Sequence, residues 1–126
     1  MRKITIKAGS VSAAAVLNDS PTADLIWEAL PIESRVSTWG DEIYFSIPVR
    51  ADLEPDSREV LEVGELGYWP TGNAFCIFFG PTPASRGDEI RAASAVNIIG
   101  RVESDPLMFK TVESGAALTL EVFPEP

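Results

Sequence analysis

Residues 67–85 read GYWPTGNAFCIFFGPTPAS, with Gly64 just before. The stretch combines heavy aromatic content with dense punctuation. Gly64, Gly67, Gly72 and Gly80 permit backbone shapes closed to other residues, while Pro70, Pro81 and Pro83 each remove a donor and fix a dihedral. Only Ala74 to Phe79 reads as an uninterrupted strand. Alternation puts Ala74, Cys76 and Phe78 on one face and Phe75, Ile77 and Phe79 on the other. Both faces are apolar, so both are expected to be covered, one by the interior and one by a helix or a groove. A strand of this kind, set between turns, points to a small β-rich domain.

The flanking sequence extends the pattern. Upstream, Ile4 and Ile6 alternate with Lys3, Thr5 and Lys7, Gly9-Ser10 is a turn, and Val11 to Leu17 is a second strand. Ser20-Pro21 starts a helix whose apolar stripe is Ala23, Ile26, Trp27 and Leu30, and Pro31 stops it. Ile32 to Thr38 and Ile43 to Val49 form two strands about a turn at Gly40-Asp41, with Pro48 at an edge or bulge. ADLEPDSR, residues 51–58, is a polar loop, and Val60 to Val63 is a further strand. Downstream, PTPASRGDE is a loop, a strand is centred on Val96 to Ile99, Asp105-Pro106 starts a second short helix ended by Gly115, and Ala117 to Phe123 closes the chain. About eight strands with frequent turns and no βαβ rhythm indicate an antiparallel barrel or sandwich.

Composition narrows the function. A chain of 126 residues is one domain, residues 1–126, with room for a hydrophobic core. Its formal charge of −9 and scattered basic residues argue against a nucleic-acid partner. No apolar run reaches membrane-spanning length, and MRKITIKAGS has no signal-type apolar core, so the expected setting is cytoplasmic, away from membranes. With one cysteine, Cys76, and no histidine, intrachain disulfides, Cys/His zinc sites, and Ser-His-Asp or Cys-His catalysis are excluded. Cys76 lies in an apolar run and reads as a buried structural thiol. Glu42, Asp88 and Glu89 read as exposed turn acids, and Arg86-Gly87-Asp88 as a chance tripeptide. No metal and no cofactor is expected.

Three segments carry a resemblance: WGDEIYFSIPV (39–49), VGELGYWPTGNAFCIFFGPTP (63–83) and GDEIRAASAVNIIGRV (87–102). They look like the small prokaryotic cyclophilin-like proteins, long classed as a domain of unknown function. The resemblance runs from about Ile4 to Val122 and implies a mainly β fold, a closed eight-stranded antiparallel β-barrel capped by two short helices. True cyclophilins share that fold and are peptidyl-prolyl isomerases, but fold alone does not transfer the activity. The peptide bond barrier is about 18–20 kcal/mol, and an isomerase lowers it by aiming an arginine at the imide nitrogen. Typical cyclophilins carry that arginine in a Phe-His-Arg run. Here the comparable run is Phe45-Ser46-Ile47-Pro48, with Ile47 in the arginine's place. Arg35, Arg50 and Arg101 remain as substitutes, their ordinary role being solvated surface charge.

The functional expectation is therefore a binding module for a small molecule or short peptide, with an atypical prolyl isomerase as the alternative. The candidate ligand-binding residues are Tyr68, Trp69, Thr71, Asn73, Phe75, Phe79 and Thr82. Rings on a rigid loop would form the wall, and Thr71 and Asn73 would orient the ligand. Thr82 and Ser85 offer hydroxyls that turn chemistry uses equally well. Unpaired strand edges near Pro48 admit a homodimer.

Overall fold

The alternation at the N-terminus becomes a hairpin. In the computed structural model, which describes residues 2–124, β1 (Arg2–Ala8) pairs antiparallel with β2 (Val11–Leu17) across the Gly9-Ser10 turn. Ile4, Ile6, Ala13 and Ala15 face inward together. Helix α1 (Pro21–Ala29) begins as its sequence requires: Pro21 occupies the first turn and the Ser20 hydroxyl accepts the Ala23 N–H at 3.2 Å. It ends at Leu30, already extended, before Pro31. Ala23 and Ile26 are buried, and Trp27 and Leu30 pack on the core while partly exposed.

The predicted strand over 32–38 is two strands. β3 (Ile32–Arg35) pairs with β10 (Ala117–Val122), whereas β4 (Ser37–Thr38) pairs with β5 (Glu42–Ser46). Buried Val36 lies between them, and the chain changes sheet partner there. The remaining strands are β6 (Arg58–Leu61), β7 (Glu65–Trp69), β8 (Ala74–Phe78) and the long β9 (Ile90–Val102). The main ladder runs β3-β10-β1-β2-β9-β7-β8-β5-β4, with β6 attached to β9. The mainly β class is as expected. Closure is not: among the described residues there are ten strands, not eight, and no ladder joins β3 to β4. The two ends of the sheet are consecutive in the chain, and Ser34 Oγ donates to Ser46 O at 2.9 Å across the gap. The second expected helix is a 3₁₀ segment, Pro106–Thr111, capped by Asp105 as its sequence suggested, and a shorter 3₁₀ turn occupies Pro70–Gly72.

Two apolar layers cover the sheet. The interior holds Phe75, Ile77 and Phe79 from the opening stretch with Ile43, Phe45, Leu66 and Tyr68, and the Phe45 and Phe75 rings stack with centroids 5.1 Å apart. The outer face holds Ala74, Cys76 and Phe78 with Leu61, Ile90, Ala92 and Val96. That division is the one read from alternation. The outer cover is the first half of β9, which pairs with β6 rather than with β7. Gly67 makes this possible. A Cβ there would lie 2.7 Å from Val96 Cγ2, so β9 packs this closely only against a glycine. Fully buried Asn97 then ties β9 to the polar loop: it accepts the Glu54 N–H at 2.7 Å and donates to Thr22 Oγ1 at 3.0 Å and Asp52 O at 2.9 Å.

Candidate binding pocket

Between the outer face of the sheet and the first half of β9 lies a cavity of about 160 Å3. Trp39, Glu42, Tyr44, Trp69 and Cys76 line it, closed on the β9 side by Ala92, Ala93 and Val96. Strand register explains the convergence. Tyr44 is directly opposite Cys76, and Cys76 opposite Gly67. Glu42 and Tyr44 are two residues apart and share a face, with Ile43 and Phe45 pointing into the interior. Trp39 precedes the turn, its N–H donating to Glu42 O at 2.9 Å. Trp69 is fixed from two sides. Its indole Nε1–H donates to Ser94 Oγ at 2.7 Å, and its ring lies so close to Gly72 that a Cβ there would be 3.0 Å away.

Glu42 contradicts its sequence assignment. It was expected as an exposed turn acid, but it is 6 % exposed. The turn ends at Asp41, and Glu42 already belongs to the strand that β9 helps cover. Burial pushes its carboxyl up to about 7, with the neighbouring Cys76 thiol opposing that rise. Burial and the neighbouring carboxylate push the thiol up in turn. Among the described residues, no lysine or arginine nitrogen lies within 4.0 Å of the Glu42 carboxylate. Glu65, comparably buried, is treated differently: Arg58 pairs with it at 2.6 Å and the Glu62 N–H donates to it at 2.7 Å. Glu89 behaves as a turn acid. The N–H groups of Arg86 and Gly87 and the Arg91 guanidinium hold its carboxyl down to about 2, organising the Arg86-Gly87-Asp88 turn.

The structure distributes the seven sequence-selected residues. Trp69 lines the pocket. Tyr68 and Phe75 are completely buried in the interior, and Phe79 nearly so. The Tyr68 hydroxyl donates to Val49 O at 2.6 Å and lies 3.0 Å from Asn73 Oδ1. Asn73, in a left-handed conformation at φ 47°, faces a separate shallow depression with Arg50, Ala51, Asp52 and Pro70. Thr71 is exposed on the 3₁₀ turn. Thr82 is buried: its hydroxyl bonds Arg91 O, and its N–H donates to Ser85 Oγ at 3.0 Å, so both hydroxyls serve the loop. Trp39, Glu42 and Tyr44 were not selected from the sequence. Their signal was the i, i+2 spacing of Glu42 and Tyr44 opposite an apolar face.

The chain belongs to the Cyclophilin-like family, whose model matches residues 2–121. Among solved structures, it is similar to the hypothetical protein AF2241 from Archaeoglobus fulgidus, with 39 % identity over 97 % of this chain and 95 % of that one, at a TM-score of 0.82. McbB, in a structure with tryptophan, shares the fold at 11 % identity and a TM-score of 0.66; the chain covers 45 % of its length. No curated protein matches. Among the described residues, no helix is long and apolar enough to cross a membrane.

Proposed function

We propose that this protein is a binding module for a small molecule or short peptide, and that its ligand enters the pocket between β5, β8 and the first half of β9. The observation that carries the proposal is a shared lining: Trp39, Tyr44 and Trp69 wall one cavity with a buried carboxylate that has no basic partner. Aromatic walls with one oriented polar group are the usual construction of a small-ligand site. Of the sequence-selected residues, Trp69 is the contact, its ring packed on Gly72 of the turn that contains Thr71. That McbB shares the fold and is in complex with tryptophan is consistent with a small-molecule ligand, though at this identity it lends no ligand identity.

The isomerase alternative has less support. It needs an arginine aimed into an apolar pocket, and none lines this one. Arg35 is exposed and donates to Gly115 O, Arg101 faces Glu62 at 4.0 Å, and Arg50 borders the depression at Asn73. Exchange spectroscopy on X-Pro peptides tests both readings in one set of samples. Saturable shifts of the Trp39 and Trp69 indole signals without faster cis/trans exchange support a binding module. Accelerated exchange, abolished by replacing Arg50, would overturn it in favour of an isomerase.

A further inference from the structure

We propose that the pocket selects organic cations: the ligand presents a protonated amine or quaternary ammonium to the Glu42 carboxylate, with the aromatic side chains of Trp39, Tyr44 and Trp69 around its alkyl groups. This assignment rests on the binding reading above and adds the ligand's chemical class.

Four observations support it. First, the site holds an uncompensated acceptor. Glu42 is more than nine-tenths buried, and the thiol beside it, Cys76, is a weak donor whose bond goes to Ala74 O at 3.9 Å. Buried charges elsewhere in proteins are paired, and on this same outer face Glu65 has its arginine. A ligand cation would give Glu42 what Arg58 gives Glu65. Second, the walls suit an ammonium. Two indoles and a phenol line the same cavity as the carboxylate, and aromatic faces attract cations through the ring quadrupole, most strongly when desolvated. Third, the alternatives lack partners. An anionic ligand would meet Glu42 with no lysine or arginine in the lining. A divalent metal needs several oxygen ligands, and no cluster of three or more His, Cys, Asp or Glu residues is present among the described residues. Fourth, the formal charge of −9 attracts cations from a distance.

The size of the cavity, about 160 Å3, fits an ammonium on a short or planar apolar body rather than a folded peptide. Loose fit is limited by the close contact of Val96 over Gly67 and by the Ser94 bond to Trp69.

The test is titration of the protein with tetramethylammonium, butylammonium and phenethylammonium, each beside a neutral counterpart with the same number of heavy atoms: tert-butanol, butanol and 2-phenylethanol. The readouts are tryptophan fluorescence and the indole N–H signals of Trp39 and Trp69. The cations are expected to bind about tenfold or more tighter than their counterparts. Glu42→Gln is nearly isosteric and should cut that preference severalfold, to the part the aromatic walls supply, while leaving the weaker binding of the neutral probes. Trp69→Ala should weaken both series. Equal affinity for the two series, unchanged in Glu42→Gln, would overturn the cation assignment and leave the binding pocket standing. No saturable response at either indole from any probe would overturn both.

Discussion

Glu42 makes the stability of this protein depend on pH in an unusual window. The chain has no histidine, and ordinary carboxyls have finished titrating below pH 5.5. Burial raises the Glu42 carboxyl from an ordinary 4.5 to about 7. The folded state therefore holds this proton more tightly than the unfolded chain does. The linked stability is fully present below pH 4.5 and is lost as the pH rises through 7. The gap corresponds to about 3 kcal/mol, a large fraction of the roughly 5–15 kcal/mol that holds a domain together. Because the Glu42 carboxyl lines an open pocket, solvent reaches it and the figure is an upper bound. The assay is denaturant unfolding at several pH values between 5 and 8, for the wild type and for Glu42→Gln. The wild type should lose up to about 2.5 kcal/mol across the range, while the variant, which keeps the shape but cannot ionise, stays flat. Parallel profiles for the two proteins would show that Glu42 is solvated and ordinary, and would remove the uncompensated carboxylate from which the ligand argument starts.

Further outcomes follow from individual contacts. Gly67→Ala should destabilise by about 1–3 kcal/mol through overpacking, because its Cβ would lie 2.7 Å from Val96 Cγ2. Val96→Ala in the same chain should recover part of that loss in a double-mutant cycle, and strictly additive losses would refute the contact. Asn97→Leu should cost about 3 kcal/mol in denaturant unfolding, since it strands the Glu54 N–H and Asp52 O and leaves Thr22 Oγ1 only its bond to Glu54; a loss within experimental error would mean that water replaces it. Cys76 should resist an aromatic disulfide reagent in the native protein and react once unfolded, because burial and Glu42 push its thiol up. Rapid labelling of the native chain would contradict that environment.

Much of the fold was legible because local signals agreed with one another. Alternation located β1 and β10, the Gly9-Ser10 turn located β2, the Ser20-Pro21 pair located α1 and Asp105-Pro106 the 3₁₀ segment, and each cap is formed by the predicted side chain. The two faces of Ala74 to Phe78 were separated correctly, since period-two patterning is a property of the strand itself. The break at Val36 was not legible. Ile32, Ser34, Val36 and Thr38 alternate without interruption, yet β3 pairs with β10, more than eighty residues away in the chain, and β4 with neighbouring β5. A change of partner within one extended run leaves no mark in its alternation.

The pocket escaped the sequence for a related reason. Aromatic density drew attention to residues 68–79, but a ring's type does not say which side of the sheet it occupies. Tyr68 and Trp69 are adjacent and point to opposite faces, so one belongs to the interior and the other to the pocket. Glu42 was assigned to the Gly40-Asp41 turn because it follows one. What buries it is the first half of β9, some fifty residues later, folded over the outer face of the sheet through the gap that Gly67 leaves for Val96. A side chain at position 67 would crowd Val96, which lines the pocket with Glu42. The chemistry of this site therefore depends on a glycine that lies outside its lining, and that dependence is testable in the variant already described: Gly67→Ala should lower the Glu42 carboxyl toward its ordinary value, narrowing the pH dependence of stability, whereas an unchanged profile would place the cause of the burial elsewhere.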